Sequence, residues 1–207
     1  MNILIADDHA ILRKGLIQIL REEFHSACIT EANNSLDVHQ KISEKNWDII
    51  LMDISMPGRS GIDTLKQLRA EGNKTPVLML SMHPEEQFGI RVLRAGASGF
   101  LNKDTAGDEL ITAVHRVLSG RKYISSTLAE KLAESPANNN QPLYDLLSDR
   151  ELQVLQLIAA GKPVSDIAEE IHLSVNTIST YRTRILEKLK LSNNAEITRY
   201  ALTNSLV

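Results

Sequence analysis

The feature that most limits the fold is a repeated alternation of short apolar runs with amphipathic helical patterns over the first 120 residues. The apolar runs occupy residues 3–6, 27–31, 49–52, 77–81 and 99–101. Between them, apolar residues recur three and four positions apart, which indicates helices that bury one face. Strands that alternate with helices form a parallel sheet covered by helices on both faces. The sequence therefore predicts an α/β fold with a five-stranded, doubly wound parallel sheet.

The pattern changes after Gly120. A short helix is predicted at residues 126–133, and residues 135–142 (SPANNNQP) are typical of a flexible linker because they contain Pro, Asn and Gln but almost nothing apolar. From Leu147 onward the pattern is entirely helical and predicts a second, all-α domain of four helices. We expect a first domain at residues 1–120, a linker with a short helix at 121–144, and a second domain at 145–207.

Composition narrows the class of protein. The chain is 43% hydrophobic and 24% charged, as in ordinary globular proteins. No apolar run approaches the roughly 20 residues of a membrane span. Asp7 and Asp8 interrupt the apolar start of the chain, so a secretory signal is not expected. Cys28 is the only cysteine, which excludes an internal disulfide and a Cys-rich metal site. We expect a cytoplasmic protein.

Net charge alone does not predict a nucleic-acid binder, because the whole chain carries −3. Residues 145–207 are no more basic, with 7 Lys and Arg against 8 Asp and Glu. A DNA-binding function must therefore depend on where the cations lie and not on how many there are.

Polar side chains follow four of the predicted strands. Asp7 and Asp8 follow the first strand, Asp53 ends the third, Ser81 the fourth, and Lys103 follows the fifth. The carboxyl ends of parallel strands meet at one edge of a sheet, so these groups should converge. Any one Asp alone is better explained as a turn former, but the whole set is not. Crowded carboxylates favour a hard cation, and Mg²⁺ prefers oxygen ligands and bridges carboxylates to phosphate.

These motifs resemble those of the receiver domain of two-component systems. The matching segments are the acid pair at 7–8, residues 53–61 (DISMPGRSG), Ser81, and residues 99–103 (GFLNK). The resemblance implies a flavodoxin-like sheet, a bound Mg²⁺, and a sensor histidine kinase as the partner that donates the phosphoryl group.

The resemblance also implies a role for each matching residue. Asp53 is the implied phosphoacceptor. The acid pair, Asp53 and the backbone carbonyl of Ser55 are the implied Mg²⁺ ligands, and Ser81 and Lys103 contact the phosphoryl group. Phe100 stands at the position of the switch aromatic, which is Tyr in many receivers. The phenyl ring keeps the packing but has no hydroxyl to donate.

The C-terminal part contains a helix-turn-helix pattern. Ser148 followed three residues later by Glu151 forms a capping box, which predicts a helix start. A short helix at 164–171, a three-residue turn and a longer helix at 175–189 then follow. His172 lies at a turn position that often carries Gly, so we expect a positive φ there.

The helix predicted at 175–189 has an apolar stripe and an opposite polar face. The polar face carries hydroxyls and cations: Ser179, Thr180, Arg182, Thr183, Arg184, Lys188 and Lys190. Four of the domain's seven cations lie in the nine residues 182–190, opposed only by Glu187. A solvated charged face is the alternative interpretation, but the preceding turn and helix favour a face that enters the DNA major groove.

Residues 147–191 resemble the LuxR-type DNA-binding domain, which together with the receiver resemblance indicates the NarL/FixJ subfamily of response regulators. The resemblance implies DNA contacts from two groups of residues. Base edges would be contacted by Ser179, Thr180 and Thr183. Phosphates or flanking bases would be contacted by Arg182, Arg184 and Lys188. The expected DNA-binding set also includes Ser174 and Thr177 at the helix start. The last helix, at 194–203, would pair DNA-bound subunits, so we expect a homodimer on activation, with RNA polymerase as a further candidate partner.

The sequence thus predicts a phosphorylation-dependent transcription regulator and not an enzyme, apart from slow Mg²⁺-dependent self-phosphorylation and self-dephosphorylation. One alternative is a Mg²⁺-dependent phosphatase with an Asp nucleophile. Such an enzyme needs a general acid two residues after the nucleophile, where this chain has Ser55. A second alternative is a regulator that binds DNA without phosphorylation, which a phosphotransfer assay would distinguish.

Overall fold

The computed structural model describes residues 1–82, 84–134, 143–204 and 206–207. The chain divides into two compact units, Met1–Ser135 and Pro136–Val207. The run predicted as a linker, 135–142, lies outside the described residues, and the predicted domain limits at 120 and 145 stay predictions. Nowhere in the described ranges does a helix combine the length and the apolar character that a membrane crossing requires.

The first unit contains the predicted five-stranded parallel sheet, so the fold class is confirmed. Its strands are β1 (Asn2–Ala6), β2 (Cys28–Ala32), β3 (Ile49–Asp53), β4 (Val77–Ser81) and β5 (Gly99–Asn102), in the order β2-β1-β3-β4-β5. The helices are α1 (Ala10–Glu23), α2 (Ser35–Glu44), α3 (Gly61–Ala70), α4 (Glu85–Arg94), α5 (Ala106–Leu118) and α6 (Ser126–Glu134).

Helices cover both faces of the sheet, as its apolar strands require. On one face, alternate residues of the strands pack with α1 and α5 into a core that includes Ile5, Leu51, Leu80, Leu16 and Val114. The residues between them on each strand point to the opposite face, which leaves α2, α3 and α4 to cover it. The sheet is therefore buried on both faces, and the polar residues predicted to converge lie at the carboxyl ends of the strands.

Helix ends follow the signals in the sequence. Gly72, Gly96 and Gly120 each follow a helix with φ between 79° and 96°, the left-handed conformation of a C-terminal cap. At helix starts, Asn34 and Ser60 accept hydrogen bonds from the backbone N–H three residues later. These caps fix where each helix leaves the sheet.

The residues after α5 return to the edge of the sheet and form what we call the strap, residues 121–134. Tyr123 makes a parallel bridge to Gly99: the Phe100 N–H donates to the Tyr123 carbonyl (3.0 Å), and the Tyr123 N–H donates to the Ser98 carbonyl (2.9 Å). The Tyr123 hydroxyl donates to Glu109 Oε2 on α5 (2.8 Å). Burial, together with this carboxylate, raises the pKa of Tyr123 to about 12, so the hydroxyl stays a donor.

The helix of the strap packs on α4. Leu128 of α6 is 2% exposed. A Cβ added to Gly89 of α4 would lie 2.7 Å from Leu128 Cδ2, so the glycine leaves the space that the leucine fills. The predicted helix at 126–133 is thus present, and it belongs to the first compact unit.

The second unit contains four α-helices in its described residues, as predicted. A short 3₁₀ turn (Leu143–Leu146) precedes α7 (Asp149–Ala159), α8 (Val164–Glu170), α9 (Val175–Leu189) and α10 (Asn194–Thr203). Helix α7 packs against α9 and α10, and α8 packs against α9. The core of the second unit includes the buried residues Leu155, Ile178, Ile185 and Ile197.

We expect Leu128→Ala to lower the free energy of unfolding of the first unit by about 2 kcal/mol, because it empties the space against Gly89. Trp47, the only tryptophan, lies in the first unit and is 7% exposed, so its fluorescence in urea follows this unit alone. The control is Leu36→Ala, since Leu36 is 81% exposed and should change stability by less than about 0.5 kcal/mol. Equal stabilities for the two variants would mean that the strap does not pack on α4 in solution.

Candidate metal centre and nucleic-acid interface

The acidic residues lie where the strand order reverses. The chain passes from β1 outward to β2 on one side, and through β3 to β5 on the other. In sheets of this kind the crevice beyond the strand ends at this switch point is where ligands bind. Asp7 directly follows β1 and Asp53 ends the neighbouring β3, so the fold itself places both carboxylates at this crevice.

A buried lysine connects the two carboxylates. Lys103, just after β5, has its Nζ 2.7 Å from Asp7 Oδ2 and 2.9 Å from Asp53 Oδ2. All three side chains are at most 2% exposed. One ammonium cannot neutralise two buried carboxylates, so the pocket keeps an excess negative charge.

A third carboxylate and a histidine complete the cluster. Asp7, Asp8, His9 and Asp53 each offer a ligand atom, and these atoms lie within 4.8 Å of one another. Asp8 Oδ1 is buried, lies 3.1 Å from His9 Nδ1, and makes no hydrogen bond to the described residues. Three carboxylates at this spacing fit a hard divalent cation such as Mg²⁺, which takes oxygen ligands. His9 is 61% exposed and offers nitrogen, which Mg²⁺ takes less readily.

The environment of Asp53 acts on its pKa in opposite directions. Burial raises the pKa of Asp53 above its ordinary value of 3.8, and the nearby Asp7 raises it as well. Lys103 and a backbone hydrogen bond from Ser55 lower the pKa but do not outweigh burial. A second positive charge in the pocket would therefore favour the ionised, nucleophilic form of Asp53.

The other residues predicted for this pocket lie on the neighbouring strands. Ser81 ends β4 and is 1% exposed, and its carbonyl accepts a hydrogen bond from the Lys103 N–H (2.8 Å). Phe100 is buried in β5, where its backbone is held by the strap. Ser55 is half-buried, two residues after Asp53.

Two further residues support the pocket: Gly61, the last residue of the segment 53–61, for which no separate role was predicted, and Arg13, which was not singled out in the sequence. At the start of α3, a Cβ on Gly61 would lie 1.9 Å from the Asp53 carbonyl oxygen, so only glycine allows this approach. Arg13 of α1 is buried and donates to the Asp7 carbonyl oxygen. The available signal for Arg13 was a cation within the apolar stripe of a helix, at three and four positions from Leu16 and Ile17.

The helix-turn-helix geometry agrees with the prediction at the turn. His172 has a φ of 54°, as expected of a residue in a glycine-like position. Ser174 caps α9 by accepting a hydrogen bond from the Thr177 N–H (3.1 Å), and the two hydroxyls lie 2.8 Å apart. Both residues therefore shape the start of α9.

Three hydroxyl groups on the polar face of α9 are exposed, and the two threonine hydroxyls already donate within the helix. Thr180 Oγ1 donates to the Asn176 carbonyl (2.9 Å), and Thr183 Oγ1 donates to the Ser179 carbonyl (3.0 Å). Ser179, Thr180 and Thr183 are all exposed. In this conformation the two threonine oxygens keep their lone pairs free, so they can accept hydrogen bonds from outside.

The three predicted cationic contacts of α9 differ in their surroundings. Arg184 is exposed and has no ion pair within the described part of the chain. Arg182 Nε donates to Asn194 Oδ1 at the start of α10 (2.5 Å). Lys188 Nζ lies 2.6 Å from Glu151 Oε2 and 3.2 Å from the Leu146 carbonyl, so a DNA contact by Lys188 competes with bonds inside the domain.

Glu151 is the acceptor that holds Lys188. It is 2% exposed and forms the predicted capping box with Ser148, whose N–H donates to Glu151 Oε2 (2.7 Å). Burial alone would raise the pKa of Glu151, but the hydrogen bonds from Lys188 and Ser148 outweigh it and lower the pKa below the ordinary 4.5. The ionised form is therefore part of the folded domain.

Both units match known protein families. Residues 3–115 match the response regulator receiver domain, and residues 145–201 match the bacterial regulatory proteins of the luxR family. The chain is 33% identical to the response regulator UvrY of Escherichia coli K12 over 100% of its own length and 95% of UvrY. It is 35% identical to the oxygen regulatory protein NreC of Staphylococcus aureus JH9, over 100% of its own length and 99% of NreC.

Solved structures of the response regulator RcsB are similar along nearly the whole chain. An RcsB–DNA complex has 25% identity and a TM-score of 0.59, and the match covers 98% of each chain. RcsB from Salmonella enterica serovar Typhimurium, bound to promoter rprA in the presence of the phosphomimetic BeF3⁻, has 26% identity and a TM-score of 0.62. That match covers 97% of this chain and 98% of RcsB.

We expect Glu151→Gln to lower the free energy of unfolding of the second unit by about 1 kcal/mol at pH 7, since it removes the charge that pairs with the part-exposed Lys188. Because the folded-state pKa of Glu151 lies below 4.5, this stabilisation is complete above pH 4.5 and is lost as the pH falls through the folded-state value.

Far-UV circular dichroism in urea measures this difference, while Trp47 fluorescence follows the first unit separately. The control is Glu187→Gln, an exposed carboxylate on the same helix as Lys188, which should leave stability unchanged. A stability gap between wild type and Glu151→Gln that persists undiminished to about pH 3 would contradict the assignment.

Proposed function

Because the chain belongs to the NarL/FixJ subfamily of two-component response regulators, with a LuxR-type DNA-binding domain, we propose that phosphorylation of Asp53 by a sensor histidine kinase controls its binding to DNA and hence transcription in the cytoplasm. The observation that carries the proposal is the position of the Asp53 carboxylate. It ends β3 at the switch point of the sheet, 2.9 Å from Lys103 Nζ and beside two further carboxylates.

The chemistry is nucleophilic substitution at phosphorus. A carboxylate oxygen of Asp53 bonds to phosphorus, the bond to the histidine nitrogen of the kinase breaks, and an acyl phosphate remains on Asp53. The residues suited to hold Mg²⁺ are Asp7, Asp8, Asp53 and the backbone carbonyl of Ser55. When bound, this ion neutralises the negative charge of the transferred group. Lys103 exchanges its pairing with the carboxylate for one with the phosphoryl oxygens.

Phosphorylation changes the balance of charge in the pocket. It adds about −1.5 to −2 charges next to the Lys103 ammonium and the Ser81 hydroxyl, which both donate to the new oxygens. We propose that Ser81 moves inward and that Phe100 repacks behind it, changing the face around α4 and α5. A nearly complete shift between two states needs roughly 5 kcal/mol of differential interaction. Two charge-assisted hydrogen bonds contribute about 1.5–3 kcal/mol each, and together with the cation they supply a differential interaction of this magnitude.

The DNA-binding part of the proposal assigns α9 to the major groove. The threonine oxygens of Thr180 and Thr183 are free to accept, so they suit the amino groups that adenine and cytosine expose there. Arg184 is free to reach a phosphate, whereas Arg182 and Lys188 would have to leave partners. That RcsB has been solved bound to DNA and to a promoter supports this use of the fold.

One helix-turn-helix module makes few base contacts, so we propose that the phosphorylated protein binds two half-sites as a homodimer. Dimers bound near a promoter would then be placed to contact RNA polymerase. Any self-phosphorylation from small phosphodonors, or hydrolysis of the acyl phosphate, would use the same pocket.

We expect wild-type protein with a small phosphodonor and Mg²⁺ to gain one phosphoryl group by intact mass spectrometry and to sediment as a dimer. Asp53→Asn should gain none, because an amide cannot form the acyl phosphate. The control is Asp104→Asn, an exposed aspartate next to Lys103, which should label like wild type. Stable labelling of Asp53→Asn, or full labelling of wild type in excess EDTA, would refute the proposed site.

We expect Thr183→Ala to weaken binding to the operator more than to scrambled DNA, by about 1–3 kcal/mol, because it removes a base contact. Arg184→Ala should weaken both and reduce the salt slope of binding by roughly one. Arg121→Ala, an exposed arginine of the first unit, is the control and should leave both affinities unchanged. Titrations at several salt concentrations measure these effects. The assignment of α9 to the major groove would be wrong if Thr183→Ala changed the affinity for neither DNA and Arg184→Ala changed only the affinity for the operator.

A further inference from the structure

Arg13 is a cation in a place where cations are rarely found. It lies on the core-facing side of α1, and its side chain is 11% exposed. Burial of a charge is costly unless the charge is paired and hydrogen-bonded, so a buried arginine calls for specific partners. The partners of Arg13 lie at the acidic pocket and on β2.

Arg13 holds the backbone that carries the acid pair. Its Nη1 donates to the Asp7 carbonyl oxygen at 2.5 Å, and its Nε lies 2.6 Å from Glu31 Oε2 on β2. The Asp7 N–H donates to the Ala32 carbonyl at 3.1 Å. Asp7 is thus fixed on both sides, by β2 through its N–H and by Arg13 through its carbonyl.

The Asp7 carbonyl belongs to the peptide unit that joins Asp7 to Asp8. Because that unit is planar, a hydrogen bond to its oxygen restricts ψ of Asp7 and φ of Asp8 together. Those two angles set the directions in which the two carboxylates leave the backbone. The His9 N–H, which donates to Asp7 Oδ1 at 2.8 Å, depends on the same arrangement.

We propose that Arg13 is a positioning residue of the acidic pocket: it orients the Asp7 and Asp8 carboxylates for a divalent cation, and Glu31 orients Arg13. This inference rests on the proposed function in that the pocket takes Mg²⁺. Lysine does not replace arginine in this role, because two donors in a fixed fork reach the carbonyl and the carboxylate at once. Groups that orient metal ligands typically affect metal affinity by 10–100-fold.

The test measures the Mg²⁺ dissociation constant of the full chain by isothermal titration calorimetry. We expect Arg13→Met to raise it by about 10–100-fold, and Arg13→Lys and Glu31→Gln to raise it by less. Arg21→Met is the matched control, since Arg21 is an exposed arginine on the same helix, and its constant should equal that of wild type.

A second readout separates positioning from folding. Amide hydrogen exchange at His9 should become faster in Arg13→Met, while exchange in β4 stays that of wild type. Unchanged Mg²⁺ affinity together with unchanged His9 exchange in a folded Arg13→Met protein would overturn the proposal. If Arg13→Met does not fold, Arg13→Lys and Glu31→Gln decide: a raised constant in both supports positioning, and wild-type constants in both overturn it.

Failure of the underlying function gives a different result. If wild type binds Mg²⁺ and Asp8→Asn binds it equally well, the cation does not occupy this pocket, and both proposals fall. If Asp8→Asn loses Mg²⁺ and Arg13→Met does not, the pocket stands and only the role of Arg13 is refuted.

Discussion

The buried contact of Lys103 with Asp7 and Asp53 is the interaction on which the rest of the first unit depends. It joins the ends of three strands, β1, β3 and β5, that are far apart in the chain. Two carboxylates and one ammonium in a buried site leave an uncompensated negative charge. That imbalance makes the pocket receptive to a cation and, once a cation is present, to a phosphoryl group. In the mechanism that we propose, the same lysine changes its partner from a carboxylate to the phosphoryl group.

Much of the fold could be predicted from the sequence, because the strands are continuous apolar runs and the helices begin and end at caps. The residues of the pocket could be predicted because they follow strand ends, a position that topology alone brings together. Tyr123 could not be predicted, because a single bridge at the sheet edge has no periodic pattern. The pairing of Lys188 with Glu151 was also invisible, since the two lie 37 positions apart and each fits a simpler local role: a cation on a polar face and an acid in a capping box.

The second unit shows how an exposed charged face can be partly committed to its own fold. Of the cations predicted to face DNA, Lys188 anchors α9 to the start of α7, and Arg182 links α9 to the start of α10. Both contacts fix α9 relative to its neighbours. The net charge of residues 145–207 gives no general attraction to DNA, so affinity depends on a helix held in one orientation. Under the proposed function, this fixed orientation of α9 would decide which bases its short side chains reach.

The strap also bears on where the receiver can be separated from the rest of the chain. A protein ended at Gly120 would follow the apparent end of the α/β pattern, yet it would lack Tyr123 and Leu128. The Phe100 N–H and the Ser98 carbonyl would lose their partners, and β5 would become an open edge strand of the kind that pairs with other chains. An exposed edge of this kind favours self-association, and it would do so independently of the state of Asp53. An isolated receiver should therefore extend at least to Glu134, so that the strap still covers β5.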